Sequence, residues 1–353
     1  MIRTFSRIET LGSFLLSAFL YCFIFAVALP GTCCAQDAST PATAQQPIRA
    51  EAALVKIDAA VLGRESVLVG GLGRQQFRVL SDSTAQPIVY FSPVDAPAQV
   101  LVLVETSPAV YLIHNEHLLA AYALLDGLGP GDQTALAAYD SAAHLTLGFT
   151  ADKSVLAGAI AGIQYTLGSG GLNFYDSLDA IVASLARMPG KTAVVVLTTG
   201  LDSSPPAHWE ALVQTLRASD VVIFPVALGG SLRHFEGQKK AGKKSKKDST
   251  PAESDAEENP LSFARADAAL QSIAALTGGR AYFPQSADQF VPAYREIAAT
   301  LRHQYVLGIA PQYDGRFHAL TVEVVDAAGQ PLSAGAKPQY RVLARQGYLA
   351  PQP

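Results

Sequence analysis

The order of apolar and polar positions divides the chain into an α/β part and two β parts. From 98 to 302, strand-like and helix-like patterns alternate. The apolar runs at 193–197 and 221–224 have no polar face, which is typical of strands covered by helices on both sides. This pattern predicts a doubly wound, mostly parallel α/β sheet. Strands are expected at 99–105, 134–139, 144–149, 193–198 and 221–227, and helices at 112–126, 152–163, 174–187, 208–218, 262–276 and 287–302.

Short β patterns flank this α/β region on both sides. An N-terminal β segment is expected over 51–97 and a C-terminal β segment over 303–350. The first is expected to hold four strands and the second three, which is a plausible number for one small β domain built from both ends of the chain. The α/β region then lies inserted in that domain or beside it. The predicted strands are 53–61, 66–69, 77–80, 88–91, 304–309, 318–325 and 340–344.

The N-terminus has the pattern of an export signal. A positively charged start precedes an apolar run at 11–29, and small residues follow up to Ala35. We expect residues 1–35 to be a signal peptide cleaved after Ala35, followed by a linker over 36–50. An uncleaved membrane anchor and a lipoprotein modified at Cys33 are the alternatives. Each interpretation places the protein in the periplasm, in the cell envelope or outside the cell.

The bulk composition excludes several classes of function. Apolar residues make up 49% of the chain and charged residues 16%, which favours a large core over general disorder. The net charge of −4 does not indicate nucleic-acid binding. The 3 cysteines all precede Ala35, so the predicted mature chain has neither disulfides nor thiol chemistry. Membrane contact is expected only through an uncleaved N-terminal segment.

The segment 237–259 differs from the rest of the chain. Lysines dominate its first half and acidic residues its second, with almost no apolar residues. This composition predicts a disordered, charged surface loop inside the 98–302 region. The alternative is a docking arm for an anionic surface, although the acidic half would partly neutralise the basic half.

The most informative segment is 100–109, Val-Leu-Val-Leu-Val-Glu-Thr-Ser-Pro-Ala. An apolar run of the buried-strand type ends at Glu105, Ser107 follows two residues later, and Ala109 two beyond that. In an open α/β sheet, ligands bind at the carboxyl ends of the strands. We therefore expect this strand end to lie on the binding face.

The order of these motifs resembles the von Willebrand factor type A (vWA) domain, and in particular the secreted bacterial group labelled acidobacterial-type VWFA-related proteins. The resemblance extends over most of residues 50–350 and implies a vWA-like fold. It rests on the segments 91–97, 100–107, 131–140, 170–178, 194–202, 276–283, 301–308 and 345–348.

The same resemblance implies a divalent-metal site with several ligands missing. In vWA domains the motif Asp-x-Ser-x-Ser forms the core of the metal-ion-dependent adhesion site. Here Glu105 stands at the Asp position, Ser107 keeps the first Ser and Ala109 replaces the second. Leu172 stands at the position of a ligating Thr, and Thr199 at that of the last Asp. Mg²⁺ requires near-octahedral oxygen ligands, so these losses predict a degenerate site.

Two hypotheses about function follow. The first is a secreted or cell-envelope protein-binding module that holds no metal tightly and engages a protein partner through Thr106, Ala109, Leu172, Asn173 and Thr199. The second keeps the fold but holds Mg²⁺ or another divalent cation at a rearranged site. The ligands of that rearranged site would be Glu105, Ser107 and Asp202.

A hydrolase is a third hypothesis, from a different functional class. It would use Ser107 or the pair His114 and His117, which are three residues apart. The sequence contains no complete set of nucleophile, base and orienting group around them. We therefore expect the protein not to be an enzyme.

Overall fold

The computed structural model describes residues 54–64, 67–111, 113–166, 171–188, 192–230, 232–233, 262–333 and 338–353. Residues 51–353 form one compact unit. The predicted export signal, linker and charged loop lie outside the described residues. Within the described ranges, no helix combines the length and the apolar character needed to cross a membrane.

The elements follow one another in three groups, with β strands at both ends. The strands are Val55–Leu62 (β1), Phe77–Ser81 (β2), Thr84–Gln86 (β3), Tyr90–Asp95 (β4), Gln99–Glu105 (β5), Gln133–Tyr139 (β6), Ala143–Thr150 (β7), Thr192–Thr198 (β8), Val222–Ala227 (β9), His303–Ile309 (β10), Phe317–Val324 (β11), Arg341–Leu343 (β12) and Gly347–Leu349 (β13). The α-helices are Pro108–Tyr111 (α1), His114–Gly127 (α2), Lys153–Ala161 (α3), Phe174–Leu185 (α4), Pro206–Ala218 (α5), Phe263–Thr277 (α6) and Phe290–Arg302 (α7).

The central sheet confirms the predicted α/β fold class. Its strand order is β7-β6-β5-β8-β9. Strands β6, β5, β8 and β9 are parallel, and β7 runs antiparallel to β6 at one edge. Strand β5 therefore lies in the middle, with β6 and β8 as neighbours. This order brings the carboxyl ends of β5, β6 and β8 to the same edge of the sheet.

Helices cover both faces of this sheet, as its continuous apolar strands predicted. Val100, Val102 and Val104 of β5 pack in one layer with α2, α3 and α7. Leu101 and Leu103 point to the opposite face and pack with α4, α5 and α6. Because successive side chains of a strand alternate between faces, a strand buried on both sides has no position for a polar residue until it ends.

The two β segments combine into a sandwich. One sheet has the order β12-β1-β10-β4 and the other β13-β11-β2-β3. Both sheets therefore contain strands from both flanks of the α/β region. Their inner faces share a core that includes Ile57, Val79, Leu307, Val322 and Tyr348. The predicted β domain built from both ends of the chain is confirmed.

Three of the short strands differ from the prediction. The segment expected as a strand at 66–69 makes an isolated bridge between Leu68 and Leu62, because the chain turns back tightly on β1. Strands β3 and β13, of three residues each, were not predicted. Strand β3 is defined by its pairing with β2, and β13 by its pairing with β11. A run of three residues is too short to show an alternating pattern.

A partly buried ion pair joins the sandwich to the base of the central sheet. Asp132, just before β6, accepts hydrogen bonds from the amides of Ala98 (2.9 Å) and Gly129 (2.7 Å). Arg302, the last residue of α7, donates to the same carboxylate at 2.6 and 3.1 Å. Burial raises the pKa of Asp132, but the bonds from Arg302 and the two amides outweigh it and lower the pKa. This pair fixes the point where α7 passes directly into β10.

Candidate binding face at the strand ends

The predicted site lies at the carboxyl edge of the central sheet. Strand β5 ends at Glu105, which stands in register with Tyr139 at the end of β6. On the other side, β8 ends at Thr198. We define the strand-end face as residues 105–109, 172–173 and 199–202, of which Pro108, Ala109, Leu172, Asn173 and Leu201 are partly exposed and the others are buried. Glu105 is 1% exposed, so its side chain lies beneath this face.

Donors of the protein surround the Glu105 carboxylate. Oε1 accepts from the hydroxyls of Ser107 (2.6 Å) and Thr199 (3.0 Å). Oε2 accepts from the Thr198 hydroxyl (2.9 Å) and the Thr199 amide (2.6 Å). The Tyr139 hydroxyl also donates to Oε2, at 3.1 Å. A carboxylate has about four acceptor positions, and the protein itself supplies enough donors to fill them.

Backbone amides orient the three aliphatic hydroxyls of this cluster. Each hydroxyl oxygen accepts a hydrogen bond from the amide two residues further along the chain. A hydroxyl oxygen can accept a hydrogen bond while its single proton is donated elsewhere. Each of these hydroxyls accepts from an amide and donates its proton to Glu105. The amides are those of Ala109 for Ser107 (3.2 Å), Gly200 for Thr198 (2.7 Å) and Leu201 for Thr199 (3.3 Å).

Tyr139 is a neutral member of the same cluster. Burial raises the pKa of its phenol well above the usual 10.0, and the nearby Glu105 charge adds to this effect. Its hydroxyl also lies 2.6 Å from the Thr198 hydroxyl. A neutral phenol stays a donor at every physiological pH, so Tyr139 can donate a hydrogen bond within the cluster over that range.

The residues at this face do not fit a Mg²⁺ ion. Ala109 and Leu172 have no side-chain oxygen, and the oxygens of Glu105 already accept from protein donors. Across the part of the chain that the structure describes, no group of three or more His, Cys, Asp or Glu side chains is arranged to hold a metal ion. A hard cation of this kind requires several free oxygens.

Asp202, the third predicted metal ligand, makes different contacts. Its Oδ2 accepts from the Tyr175 amide at 2.9 Å, and its Oδ1 from the Ser204 amide at 2.6 Å. Tyr175 lies in the first turn of α4, where a carboxylate is stabilised by free amides and by the helix dipole. The structure therefore places Asp202 at the start of α4, whereas Glu105 and Ser107 lie together in the carboxylate cluster.

The remaining predicted face residues hold the loops to one another. Thr106 donates through its amide (2.7 Å) and its hydroxyl (3.0 Å) to the carbonyl of Tyr139. The carbonyl of Leu172 accepts from the Ser203 amide at 2.9 Å. The Asn173 side chain donates to a carbonyl of the β6–β7 turn at 2.9 Å. These bonds join the loops after β5, β6 and β8 and the segment before α4.

Arg233 is a residue of this region that the sequence did not reveal. Its guanidinium donates to the carbonyls of Thr199 and Leu228 and forms an ion pair with Asp267. It also lies 4.8 Å from the centre of the Phe263 ring. A single arginine after an apolar strand forms no periodic pattern, so the sequence does not predict its role. That role is defined by contacts with residues from other segments. Arg233 thus supports the Thr199 loop through the carbonyl of Thr199, the residue whose amide donates to Glu105.

Tyr139 and Thr198 were also missed as members of the site. Each ends a strand that the sequence did predict. The parallel order of β6, β5 and β8 would have aligned both residues with Glu105. The missing information was therefore the strand order. His114 and His117 lie in α2, but their side chains are outside the described residues.

Comparisons with known proteins relate this fold to vWA-domain structures at low similarity. No protein-family model matches the sequence, and no curated protein matches it. Among solved structures, a von Willebrand factor type A protein from Catenulispora acidiphila is 12% identical, with a TM-score of 0.41 and coverage of 74% of each chain. An aerotolerance-related membrane protein from Bacteroides fragilis is 16% identical, with a TM-score of 0.40 and coverage of 57% of this chain and 98% of that one.

A third similar structure is the proximal thread matrix protein 1 of the mussel byssus, with a zinc-occupied MIDAS motif. It is 15% identical, with a TM-score of 0.39, and the match covers 62% of this chain and 50% of that protein. At these levels of similarity the comparisons do not transfer a site. The assignment of this chain's site rests on its own contacts.

Proposed function

We propose that the chain is an exported protein-binding module with a vWA-like fold, and that it binds its partner through the strand-end face without a tightly held metal ion. The Glu105 cluster carries this proposal. The loops after β5 and β8 and the last residue of β6 meet around a carboxylate whose acceptor positions are used within the protein. Export rests on the N-terminal sequence, with the periplasm, the cell envelope and the cell exterior as its destinations.

The cluster makes the face rigid before any partner arrives. Hydrogen bonds from Ser107, Thr198 and Thr199 to one buried acceptor fix two loops relative to each other. A surface fixed in this way loses little conformational entropy on binding. Rigid loops on a stable sheet are a common platform for recognition.

The chemistry of the face favours a partner that does not bind through a carboxylate. In a metal-dependent site, the cation attracts an acidic group of the partner. Here the partly exposed residues of the strand-end face offer neutral groups: the Ala109 methyl, the Leu172 side chain and the Asn173 amide. A carboxylate placed there would lie near the Glu105 charge with no cation between them. Recognition would therefore depend on apolar and neutral polar contacts.

The proposed module is not an enzyme. The Ser107 hydroxyl donates to Glu105 and accepts from the Ala109 amide. Its proton is therefore held by a buried carboxylate within the cluster. A nucleophilic serine needs a base that is free to take up its proton and return it to a leaving group.

Metal titration tests the first part of the proposal. We expect no heat in calorimetry and no change in melting temperature when Mg²⁺, Mn²⁺ or Ca²⁺ is added at millimolar concentration. Saturable heat that disappears in Ser107→Ala would instead support the rearranged site of Glu105, Ser107 and Asp202.

Site-specific photo-crosslinking in the producing cells tests the second part. A photoreactive residue at Leu172 should give a discrete protein adduct that persists in the presence of EDTA. The control position is Val89, which is 53% exposed on the sandwich. If Val89 gives the same adduct, or if EDTA abolishes the Leu172 adduct, the proposed metal-independent face is wrong.

A further inference from the structure

A cavity lies at the base of the central sheet, at the end opposite the strand-end face. One wall is formed by the starts of β8 and β9 and by the ends of α4 and α5. The other wall is the outer face of β1, β10 and β4 of the sandwich. We call it the sheet-base cavity. Its volume of about 720 Å³ lies within the range of roughly 300–1,000 Å³ that is usual for small-molecule sites.

The walls of the sheet-base cavity are mainly aliphatic. The large apolar side chains that line it include Leu54, Tyr90, Val94, Leu185, Met188 and Val306. Leu54, Tyr90 and Met188 are 36%, 46% and 38% exposed, so a ligand that covers them removes apolar surface from water. A flat ring system gains most from several aromatic neighbours. Aliphatic walls with few rings instead favour a hydrocarbon chain.

Lys56 brings a charge without a partner to this cavity. Its side chain lines both the sheet-base cavity and a neighbouring cavity of about 460 Å³. In the part of the chain that the structure describes, the Lys56 ammonium makes neither a hydrogen bond nor an ion pair. The acidic lining residues differ in this respect. Asp220 is paired with Arg345, and Asp58 has an interaction of its own.

The strand register places this ammonium beside the apolar wall. Lys56 of β1 pairs with Gly308 of β10, and Gly308 pairs with Tyr90 of β4. The three residues therefore share one face of the sheet, and Lys56 and Tyr90 are two strand spacings apart, about 10 Å. A ligand with its charged end at Lys56 has its apolar part within reach of the Tyr90 side of the cavity.

We propose that the sheet-base cavity binds a fatty acid, with the carboxylate at Lys56 and the alkyl chain along the aliphatic walls. The free ammonium complements an ionised carboxylate through a charge-assisted hydrogen bond. Because Arg345 already neutralises Asp220, that acidic residue does little to oppose an anion. The alkyl chain covers the exposed parts of Leu54, Tyr90 and Met188.

This site is separate from the strand-end face. Thr192, which lines the sheet-base cavity, begins β8, and Thr198 of the Glu105 cluster ends it. Fatty-acid binding therefore does not rest on the proposed protein-binding function. Either property can fail without the other.

The experiment is calorimetric titration of the purified protein with dodecanoate, below the concentration at which dodecanoate forms micelles. Wild type should bind it saturably. Lys56→Met should weaken binding by roughly tenfold or more because the carboxylate loses its charged partner. The matched control is Arg74→Met, which removes a positive charge from an exposed position of the sandwich outside the cavity. It should leave the affinity unchanged.

Two further probes separate the contributions of the head group and the chain. Decanoate, which has two fewer methylenes, should bind roughly fifteenfold more weakly, since each buried methylene contributes about fourfold to the affinity. Dodecyltrimethylammonium has the same chain with the opposite charge and should not displace dodecanoate. A protein that does not bind dodecanoate overturns the proposal, as does binding that Lys56→Met leaves intact or that the cationic probe displaces.

Met188→Asp tests the aliphatic wall without changing Lys56. Met188 is partly exposed, so the melting temperature should stay close to that of wild type. The carboxylate of the variant would lie against the alkyl chain, so dodecanoate should bind roughly tenfold more weakly or less. Wild-type affinity in this variant would contradict the placement of the chain. None of these outcomes alters the metal and crosslinking tests of the strand-end face.

Discussion

Glu105 has one more methylene group than the aspartate of the motif that its strand end resembles. The carboxylate of this longer side chain accepts hydrogen bonds from Ser107, Thr198 and Thr199. The two side chains that lack a ligating oxygen, Ala109 and Leu172, are on loops around the same strand ends. Ala109 and Leu172 offer no side-chain oxygen, and donors of the protein satisfy the buried Glu105 carboxylate.

Replacing Glu105 with glutamine should destabilise the fold strongly. The amide nitrogen would face hydroxyls whose protons already point inward, so at least one buried donor would lose its acceptor. We expect Glu105→Gln to lower the free energy of unfolding by about 3 kcal/mol, measured by urea denaturation.

The control for this experiment is Glu210→Gln, because Glu210 is exposed on α5. That change should stay within about 0.5 kcal/mol of wild type. Equal effects of the two substitutions would mean that the Glu105 cluster contributes little to stability.

At the scale of elements, the contact between α6 and the sandwich depends on a glycine. Gly278 ends α6 with a φ of +83°. A Cβ at this position would lie 2.6 Å from the Arg345 amide nitrogen and 2.8 Å from the Ala344 carbonyl carbon. The C-terminal segment of the sandwich thus passes directly against the end of the helix. Glycine is required here both for its backbone conformation and for the space it leaves.

Gly329 allows these two effects to be separated. Its φ is +76°, but nothing lies within 4 Å of the position a Cβ would take. We expect Gly329→Ala to cost about 1 kcal/mol for the left-handed conformation alone. Gly278→Ala should cost about 3 kcal/mol or more, since backbone overlap is added. Thermal unfolding of both variants measures the difference, and similar melting temperatures would contradict a close approach at Gly278.

At the scale of the whole molecule, a histidine joins distant segments of the sandwich. His318 of β11 lies 2.6 Å from the Asp82 carboxylate through Nδ1 and 3.0 Å from that of Asp314 through Nε2. Its ring packs 5.4 Å from that of Tyr348 in β13. Both ring nitrogens can donate only when the imidazole is protonated. The hydrogen bond with Asp82, then that with Asp314, raises the pKa of His318 above 6.5.

This arrangement predicts a pH-dependent contribution to stability. A raised folded-state pKa means that the contribution of His318 is fully present below 6.5 and is lost as the pH rises through the folded-state pKa. The difference in melting temperature between wild type and His318→Asn should therefore shrink as the pH increases. At the acid end, the pKa values of Asp82 and Asp314 are lowered below 3.8 by their bonds to His318. Their contribution is present above 3.8 and is lost as the pH falls through those values.

Melting curves at several pH values, together with an NMR titration of the imidazole, provide the measurement. His144→Asn is the matched control outside the sandwich, because His144 is exposed on β7, and it should change the melting temperature little. A difference between wild type and His318→Asn that does not change with pH would contradict the proposed role of the protonated ring.

Much of the architecture follows from the sequence because each of its patterns is local. The strand predicted at 99–105 matches β5, and the predicted helix at 174–187 contains α4. Continuous apolar runs indicated helices on both faces of the sheet, as found. Short strands such as β13 depend on a partner strand for their definition, so the sequence did not predict them.

The sequence by itself determined the fold class, the strand end at Glu105, and the absence of ligating oxygens at Ala109 and Leu172. These features depend on residue type and on periodicity along the chain. The tertiary structure decided which groups surround Glu105, which amides donate to Asp202, and which residues line the sheet-base cavity. Those outcomes depend on strand order and on contacts between residues far apart in sequence, such as Glu105 with Thr199 and Thr199 with Arg233. Local pattern contains no information about such distances, because they are set when the whole chain packs.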